Sequence, residues 1–277
     1  MIWIKNILIT LFIVIGITET FATSQVPNRL VYKGESFDVL LNLLPKEFYK
    51  TNTVEWGKTV LSVNVFGNKE TCWTTACGDG YLTSWEIVNN QLYLTGIYSC
   101  CYEKDSIKAD LKSLFNEKVI NGKVKADWVT KKNVQGGKGL LFWNDATPIF
   151  KKEFEFDFLN GKLMNIKIFD NSKSRESSYN HNDRKLLNFI YKNIRWDKLP
   201  IQKEPNRVML RFSANEFGKI DDVEVTKGAD EIFNKEAIRI IKSIPNWDII
   251  YIKGQHYRQW FNIPIIFSEE RREEYKK

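Results

Sequence analysis

Apolar and polar positions alternate most regularly toward the C-terminal end of the chain. Val208, Leu210 and Phe212 alternate with Met209, Arg211 and Ser213, the period-two pattern of a strand with one buried face. Asn215-Glu216-Phe217-Gly218 predicts a turn, because Gly218 takes positive φ without steric cost and Asn215 tolerates the same region. The chain returns through Ile220, Val223 and Val225, where Asp221-Asp222 puts the apolar residues out of phase and predicts a bulge. Lys227-Gly228 ends that strand. Behind Asp230 as N-cap, Phe233, Ala237, Ile240, Ile241 and Ile244 recur at helical spacing until Pro245 stops the helix. Past Trp247 and a loop through Lys253-Gly254, a last strand places Tyr257, Gln259, Phe261, Ile263, Ile265 and Phe267 on one side. A helix capped by Asn182 or Asp183 precedes the unit, with Leu186, Leu187, Ile190, Tyr191 and Ile194 as its inward stripe. The order is helix, strand, strand, helix, strand.

Between Val26 and Asp170 the pattern changes to short strands: Val60 to Val65, Tyr81 to Val88, Gln91 to Ile97, Gly139 to Trp143 and Phe154 to Phe158. Gly67-Asn68, Asn89-Asn90 and Asn160-Gly161 separate them as turns, and little helix is expected beyond Ile107 to Phe115. The aromatic residues of Gly80-Tyr81 to Ile87 and of Leu92-Tyr93-Leu94 pack cross-strand in one hairpin. Gly136-Gly137-Lys138-Gly139 lacks the trailing Ser or Thr and the following helix of a phosphate loop, and reads as a flexible turn. The polar, serine-rich stretch from Asp170 to Ser178 reads as a linker, and the charged tail after Ser268 as a solvated end. The fold class is therefore α+β. An antiparallel, mainly β domain over 26–170 is followed by a linker over 171–181, a small helix-strand domain over 182–267 and a tail over 268–277.

The run Gly218-Lys219-Ile220-x-Asp222-Val223-x-Val225 carries a resemblance, together with Lys235-Glu236-Ala237-Ile238-Arg239, the corner Ile244-Pro245-x-Trp247 and the ending Phe261-x-Ile263-Pro264-Ile265-x-Phe267. From roughly Asn182 to Phe267 the chain resembles the TonB C-terminal domain. What the resemblance implies is capture of an extended segment of an outer-membrane receptor, or of another envelope protein, beside the last strand. Main-chain hydrogen bonds then supply affinity and alternate side chains selectivity. The positions it points to are Arg258, Gln259, Trp260, Phe261 and Asn262, with Trp260 in the opposite phase from the apolar set. Where the family often carries Tyr-Pro after the first helix, this chain has Arg195-Trp196, with Trp196 as the candidate for the aromatic role and Pro200 a few residues on.

Lys5, the apolar run from Ile7 to Ile17 and the ending Thr20-Phe21-Ala22 read as a secretory signal peptide over 1–22, which places the mature chain in the periplasm. The run is shorter than the about 20 apolar residues of a membrane span. The alternative keeps it as an uncleaved anchor and makes the chain a TonB-type energy transducer for receptor transport. Against that stand the absence of a proline-rich spacer, with seven prolines scattered through 277 residues, and of polar positions suited to coupling in the segment. The formal charge of +7 comes from interspersed Lys and Glu without a basic stripe, which argues against a nucleic-acid partner and points to acidic envelope surfaces. No lipid anchor is indicated near Ala22, and membrane contact requires the segment to be retained.

Four cysteines, Cys72, Cys77, Cys100 and Cys101, suit disulfides in an exported protein. With Asn89-Asn90 closing a two-residue hairpin, Cys77 faces Cys100 or Cys101, and Cys72 reaches the remaining thiol. Adjacent cysteines are poor spacing for a tetrahedral zinc site, and no Cys-x-x-Cys supports redox catalysis. His181 and His256, the two histidines, lie outside the β domain, which leaves paired carboxylates such as Asp79 with Glu86 as candidates for acid-base chemistry there. The reading is a binding or adaptor protein, not an enzyme, with no cofactor and no metal.

Overall fold

The computed structural model of the protein describes residues 24–45, 48, 54–55, 58–59, 65–67, 69–72, 74–144 and 146–276. The leader over Met1 to Ala22, and all of the strand expected at Val60 to Val65 except Val65, lie outside the described residues. Strands β1 (Asn28–Tyr32), β2 (Glu35–Val39), β3 (Val54–Glu55), β4 (Lys58–Thr59), β5 (Leu82–Val88) and β6 (Gln91–Tyr98) come first. Helices α1 (Tyr102–Asp105) and α2 (Leu111–Phe115) follow, then β7 (Val119–Ile120), β8 (Lys123–Lys125), β9 (Lys131–Asn144), β10 (Thr147–Leu159) and β11 (Lys162–Asp170). The C-terminal part contains α3 (Asp183–Asn193), β12 (Asn206–Ala214), β13 (Ile220–Lys227) and α4 (Glu231–Lys242). The chain ends with β14 (Tyr251–Ile252), β15 (Gln255–His256), β16 (Trp260–Phe267) and α5 (Glu269–Tyr275). The architecture is α+β, a mainly β N-terminal region followed by a small helix-strand unit.

In the β region β11, β10, β9, β2, β1, β5 and β6 pair in that order, and Lys162 of β11 then pairs with Gln91 of β6, so the sheet closes on itself. Its pairings are antiparallel apart from β1 with β5, which is parallel. Asn89-Asn90 and Asn160-Gly161 have positive φ at both positions, the geometry that matches a two-residue turn to the twist of its strands. Leu30, Trp85, Leu92, Leu94, Val134 and Phe156 fill the interior without exposure.

The glycine run is not a turn. Gly136 and Gly137 lie inside β9, where the rings of Phe156 and Phe150 occupy the space that a Cβ would need. The same absence of side chains that suggests flexibility in a sequence here lets aromatic rings of β10 lie flat on the neighbouring strand. The sulfurs stand in two pairs at disulfide distance, Cys77 with Cys100 and Cys72 with Cys101.

The serine-rich stretch is not a free linker either. Asn171, Ser174 and Ser177 are buried. Asn171 Nδ2 donates to the Phe150 carbonyl and Asn171 Oδ1 accepts from the Gly254 amide at 2.8 Å. The Ser177 amide donates to Asp248 Oδ1 at 2.6 Å, and Arg175 bridges to Ile249. Short polar side chains, which in sequence look solvated, here satisfy buried backbone groups of the hairpin β14–β15 and its approach. That hairpin also sets Ile250 and Ile252 against Phe142 and Ile149, so the two regions share an apolar contact.

In the C-terminal unit the sheet order is β13-β12-β16, with α3 and α4 on one face. Ser213 pairs with Asp222 and Ala214 with Ile220, so Asp221 is the bulge that the sequence predicts. Asn182 Oδ1 caps α3 by accepting from the Lys185 amide at 2.9 Å, whereas Asp230 precedes α4 without a side-chain cap bond. Asn234 instead accepts from the Ala229 amide and donates to the Ala229 carbonyl, fixing the entry to the helix. The last strand is shorter than its alternation suggests. Lys253-Gly254 is the turn of the β14–β15 hairpin, Tyr257 is half exposed, and ladder pairing begins at Trp260. The tail is not a solvated end: residues Glu269–Tyr275 form α5, and Arg272 is buried beneath it.

Candidate partner-binding edge

β16 pairs with β12 along its whole length, Trp260 opposite Ser213 through Phe267 opposite Asn206, without a register shift. On its other side β16 has no strand neighbour among the described residues. Which backbone groups face that open side follows from two hydrogen bonds. The Ile266 amide donates to Tyr191 Oη at 3.3 Å, on α3, so it points away from β12. The Met209 carbonyl, opposite Pro264, accepts from Thr226 Oγ1 on β13 and so turns away from β16. Because amide and carbonyl of one residue point the same way and alternate along a strand, Trp260, Asn262, Pro264 and Ile266 carry the outer rim. Pro264 has no N–H to offer, and the Ile266 donor is taken by Tyr191. The rim is thus open at Trp260 and Asn262 and closed beyond Pro264.

α3 runs alongside this rim. Its last turns touch the far end of β16, while its first turns leave a groove of about 280 Å³ beside the near end. Leu186, Leu187, Phe212, Trp247, Phe261 and Ile263 line it, with Asn180, Asp183 and Asn262 at its polar margin. Trp247 forms the floor, its ring edge-on to Phe212 and Phe261 at 4.8 and 5.2 Å between centroids. Its indole Nε1 is buried and without a hydrogen-bond partner.

The residues that the sequence pointed to are not gathered in one place. Trp260 and Asn262 stand on the open rim, and the Arg211 guanidinium stacks 4.1 Å from the Trp260 ring on the outward face of the sheet. Phe261 faces the helices, half-buried against Phe212. Gln259 lies just before the strand with its Oε1 buried and unpaired. Arg258 turns away from the rim across the end of β12, donating to Ser213 Oγ at 3.0 Å and to Asp221 Oδ1 at 2.8 Å. This hydrogen-bonded guanidinium holds the Asp221 carboxyl below its usual range and raises Arg258 in turn. Arg258 therefore pins the bulge and is not free to hold a partner. Arg195 and Trp196 lie at the opposite end of β16: the Arg195 amide donates to Glu236 Oε1 at 2.8 Å, and Trp196 is a core residue, 3% exposed, packed on Phe267. Trp196 does not reach the surface because Arg272 and Phe267 close over it.

Sequence reasoning missed Tyr191 and Leu187 as determinants of this edge. Both fall on the inward stripe of α3, and nothing in a helical period tells that one would cap a rim amide while the other, 41% exposed, would overhang an unoccupied space. Glu86 pairs with Lys123, and His181 lies 3.4 Å from Asp248 beside the strap that joins the two regions. No cluster of three metal-ligating side chains occurs among the described residues.

Residues 202–268 match the model of the Gram-negative bacterial TonB protein C-terminal family. The match begins after α3 and takes in β12, β13, α4 and β16, so the helix that overhangs the rim lies outside it. No curated protein and no solved structure matches the chain.

Proposed function

We propose that the C-terminal unit binds an extended segment of an envelope protein by adding it as a fourth strand beside β16, and that the chain acts in the periplasm as an adaptor that changes no covalent bond. The observation that carries this reading is the open rim at Trp260 and Asn262, on the last strand of a region that matches a transport and binding family. An unpaired edge offers main-chain donors and acceptors at fixed spacing, which is the recognition surface strand addition needs. Outer-membrane receptors are the partner class that the family suggests.

The test is Asn262→Pro. The Asn262 N–H faces away from β12, and Pro264 shows that the strand already accommodates proline two residues on, so the internal ladder survives while the central rim donor is lost. Binding of peptides from receptor N-termini, measured by titration, is expected to weaken at least tenfold with the thermal transition within a few degrees of the parent. Equal binding by the proline variant removes strand addition as the mode.

A further inference from the structure

Accepting strand addition at β16, on which this inference rests, we propose that pairing is confined to residues 260–263 and that the groove beside them takes one apolar side chain of the added strand. The far half of the rim is shut by the molecule itself, since Pro264 lacks a donor and Tyr191 Oη occupies the Ile266 amide. A segment lying on β16 has to end its pairing there or displace α3.

The near half is different. Leu187 and Tyr191 are one helical turn apart on the same side of α3, yet Tyr191 is 2% exposed and Leu187 is 41% exposed. Tyr191 meets β16 and lies under Tyr275 and Arg271 of α5; Leu187 meets the groove. An added strand lies about 4.8 Å outside β16 and sends alternate side chains to the helix face of the sheet. The one that falls beside Phe261 and Ile263 enters the space under Leu187, over Trp247. A second such residue, two positions further along, would run into Tyr191. The lining selects an aliphatic residue, and Asp183 at the margin disfavours an acidic one.

The groove, the exposed leucine and the open half of the rim thus share one occupant, a single aliphatic side chain of an extended peptide. Full burial of such a side chain corresponds to roughly a tenfold or greater gain in affinity over alanine.

The probe is a set of acetylated, amidated peptides Ser-Thr-Xaa-Thr-Ser with Xaa as Ala, Val, Leu or Asp, titrated to millimolar concentration into the ¹⁵N-labelled mature chain. Leu and Val are expected to bind at least tenfold tighter than Ala and Asp, shifting the amides of Trp260 and Asn262 and the indole N–H of Trp247. Leu187→Glu, a change at an exposed position, is expected to erase that preference. Shifts at Trp260 and Asn262 that are equal for all four peptides overturn the groove as a side-chain site and leave strand addition standing. No shift at those two amides with any peptide overturns both.

Discussion

Replacing Arg272 by Met probes how far the fold depends on a tail that lies beyond the repeating pattern of the domain. The guanidinium sits under α5, 7% exposed as a residue, with Nη1 donating to the carbonyls of Trp196 at 2.5 Å and Leu199 at 3.1 Å. Nη2 donates to the Pro200 carbonyl at 2.7 Å, and Nε lies 3.0 Å from Glu269 Oε2. Methionine keeps the apolar stem and removes every donor. Three carbonyls of the turn after α3 are then left without their cation, and Glu269 keeps the Gln202 amide but loses the charge beside it. Hydrogen bonds to a charged group contribute about 1.5–3 kcal/mol each, but these three share one ion whose desolvation is relieved by the change. The net cost is about 3 kcal/mol. For a unit running from Asp183 to Tyr275 that lowers Tm by roughly 12–24 °C. Deleting residues 269–277 should cost at least as much, because the remaining ties of α5, Tyr275 packed 5.6 Å from Tyr191 and Glu269 Oε1 accepting from the Gln202 amide, are lost with it. Urea titration followed by far-ultraviolet circular dichroism measures both. A change below about 0.5 kcal/mol for Arg272→Met refutes the assignment of this arginine as a structural clamp.

Non-reducing peptide mapping is expected to find Cys77 joined to Cys100 and Cys72 to Cys101; four free thiols, or the crossed pairing, would contradict the arrangement. The outer pair, 29 residues apart, encloses the inner, 23 apart, so with the other intact each bridge contributes less than its own loop length implies, and the two double-serine variants should lose similar amounts by urea midpoint. Burial pushes the Glu236 carboxyl up, but hydrogen bonds from Arg239 and the Arg195 amide outweigh it and leave the group below its ordinary value of 4.5. Its contribution to stability is therefore complete above that value and lost as pH falls through the lower folded value, so Glu236→Gln should be less stable at pH 7 and show a shallower acid limb in pH-dependent melting. Gly137→Val is expected to lower stability by about 2 kcal/mol or more, because the Phe150 ring fills the site of its side chain; an unchanged urea midpoint would refute the close packing.

The elements whose side chains follow a period were legible in the sequence. The alternation of β12, the bulge at Asp221 and the buried stripe of α4 come directly from Val208 to Ile244, because burial of one face is a local property. Segments that are ordered by polar satisfaction were not. Asn171, Ser174 and Ser177 have the composition of a linker, and only the three-dimensional position of Asp248, Gly254 and Phe150 turns them into a strap. Arg272 fails in the same way, since a charged tail and a buried arginine clamp have one composition. At the candidate edge, the outward phase of Trp260 was readable, while the retreat of Arg258 to Asp221 depends on the bulge geometry and the burial of Trp196 on an arginine 76 residues away.

The edge of β16 also answers to a constraint that has nothing to do with a partner. A sheet edge with an unbroken row of donors and acceptors invites pairing with any exposed strand, and proteins blunt such edges with proline, covering elements or charge. Here Pro264 and Tyr191 blunt the second half, and neither is needed to hold the three-stranded sheet together, since β12 satisfies the inner face of β16 throughout. If protection were the only pressure, the first half would be closed by the same means, and α3 would lie on it at Leu187 as it does at Tyr191. The space left under Leu187 and the bare amides of Trp260 and Asn262 are therefore the part of the edge that protection stops short of. That boundary, between a guarded and an unguarded half of one strand, is what makes a short segment a better fit than a long one, and it sets Tyr191→Phe apart from other core substitutions. That substitution frees the Ile266 donor but leaves the ring at 191 and Pro264 in place, so in the same titration longer segments should bind no more tightly than five-residue peptides; a gain for the longer ones would refute closure of the far half by shape.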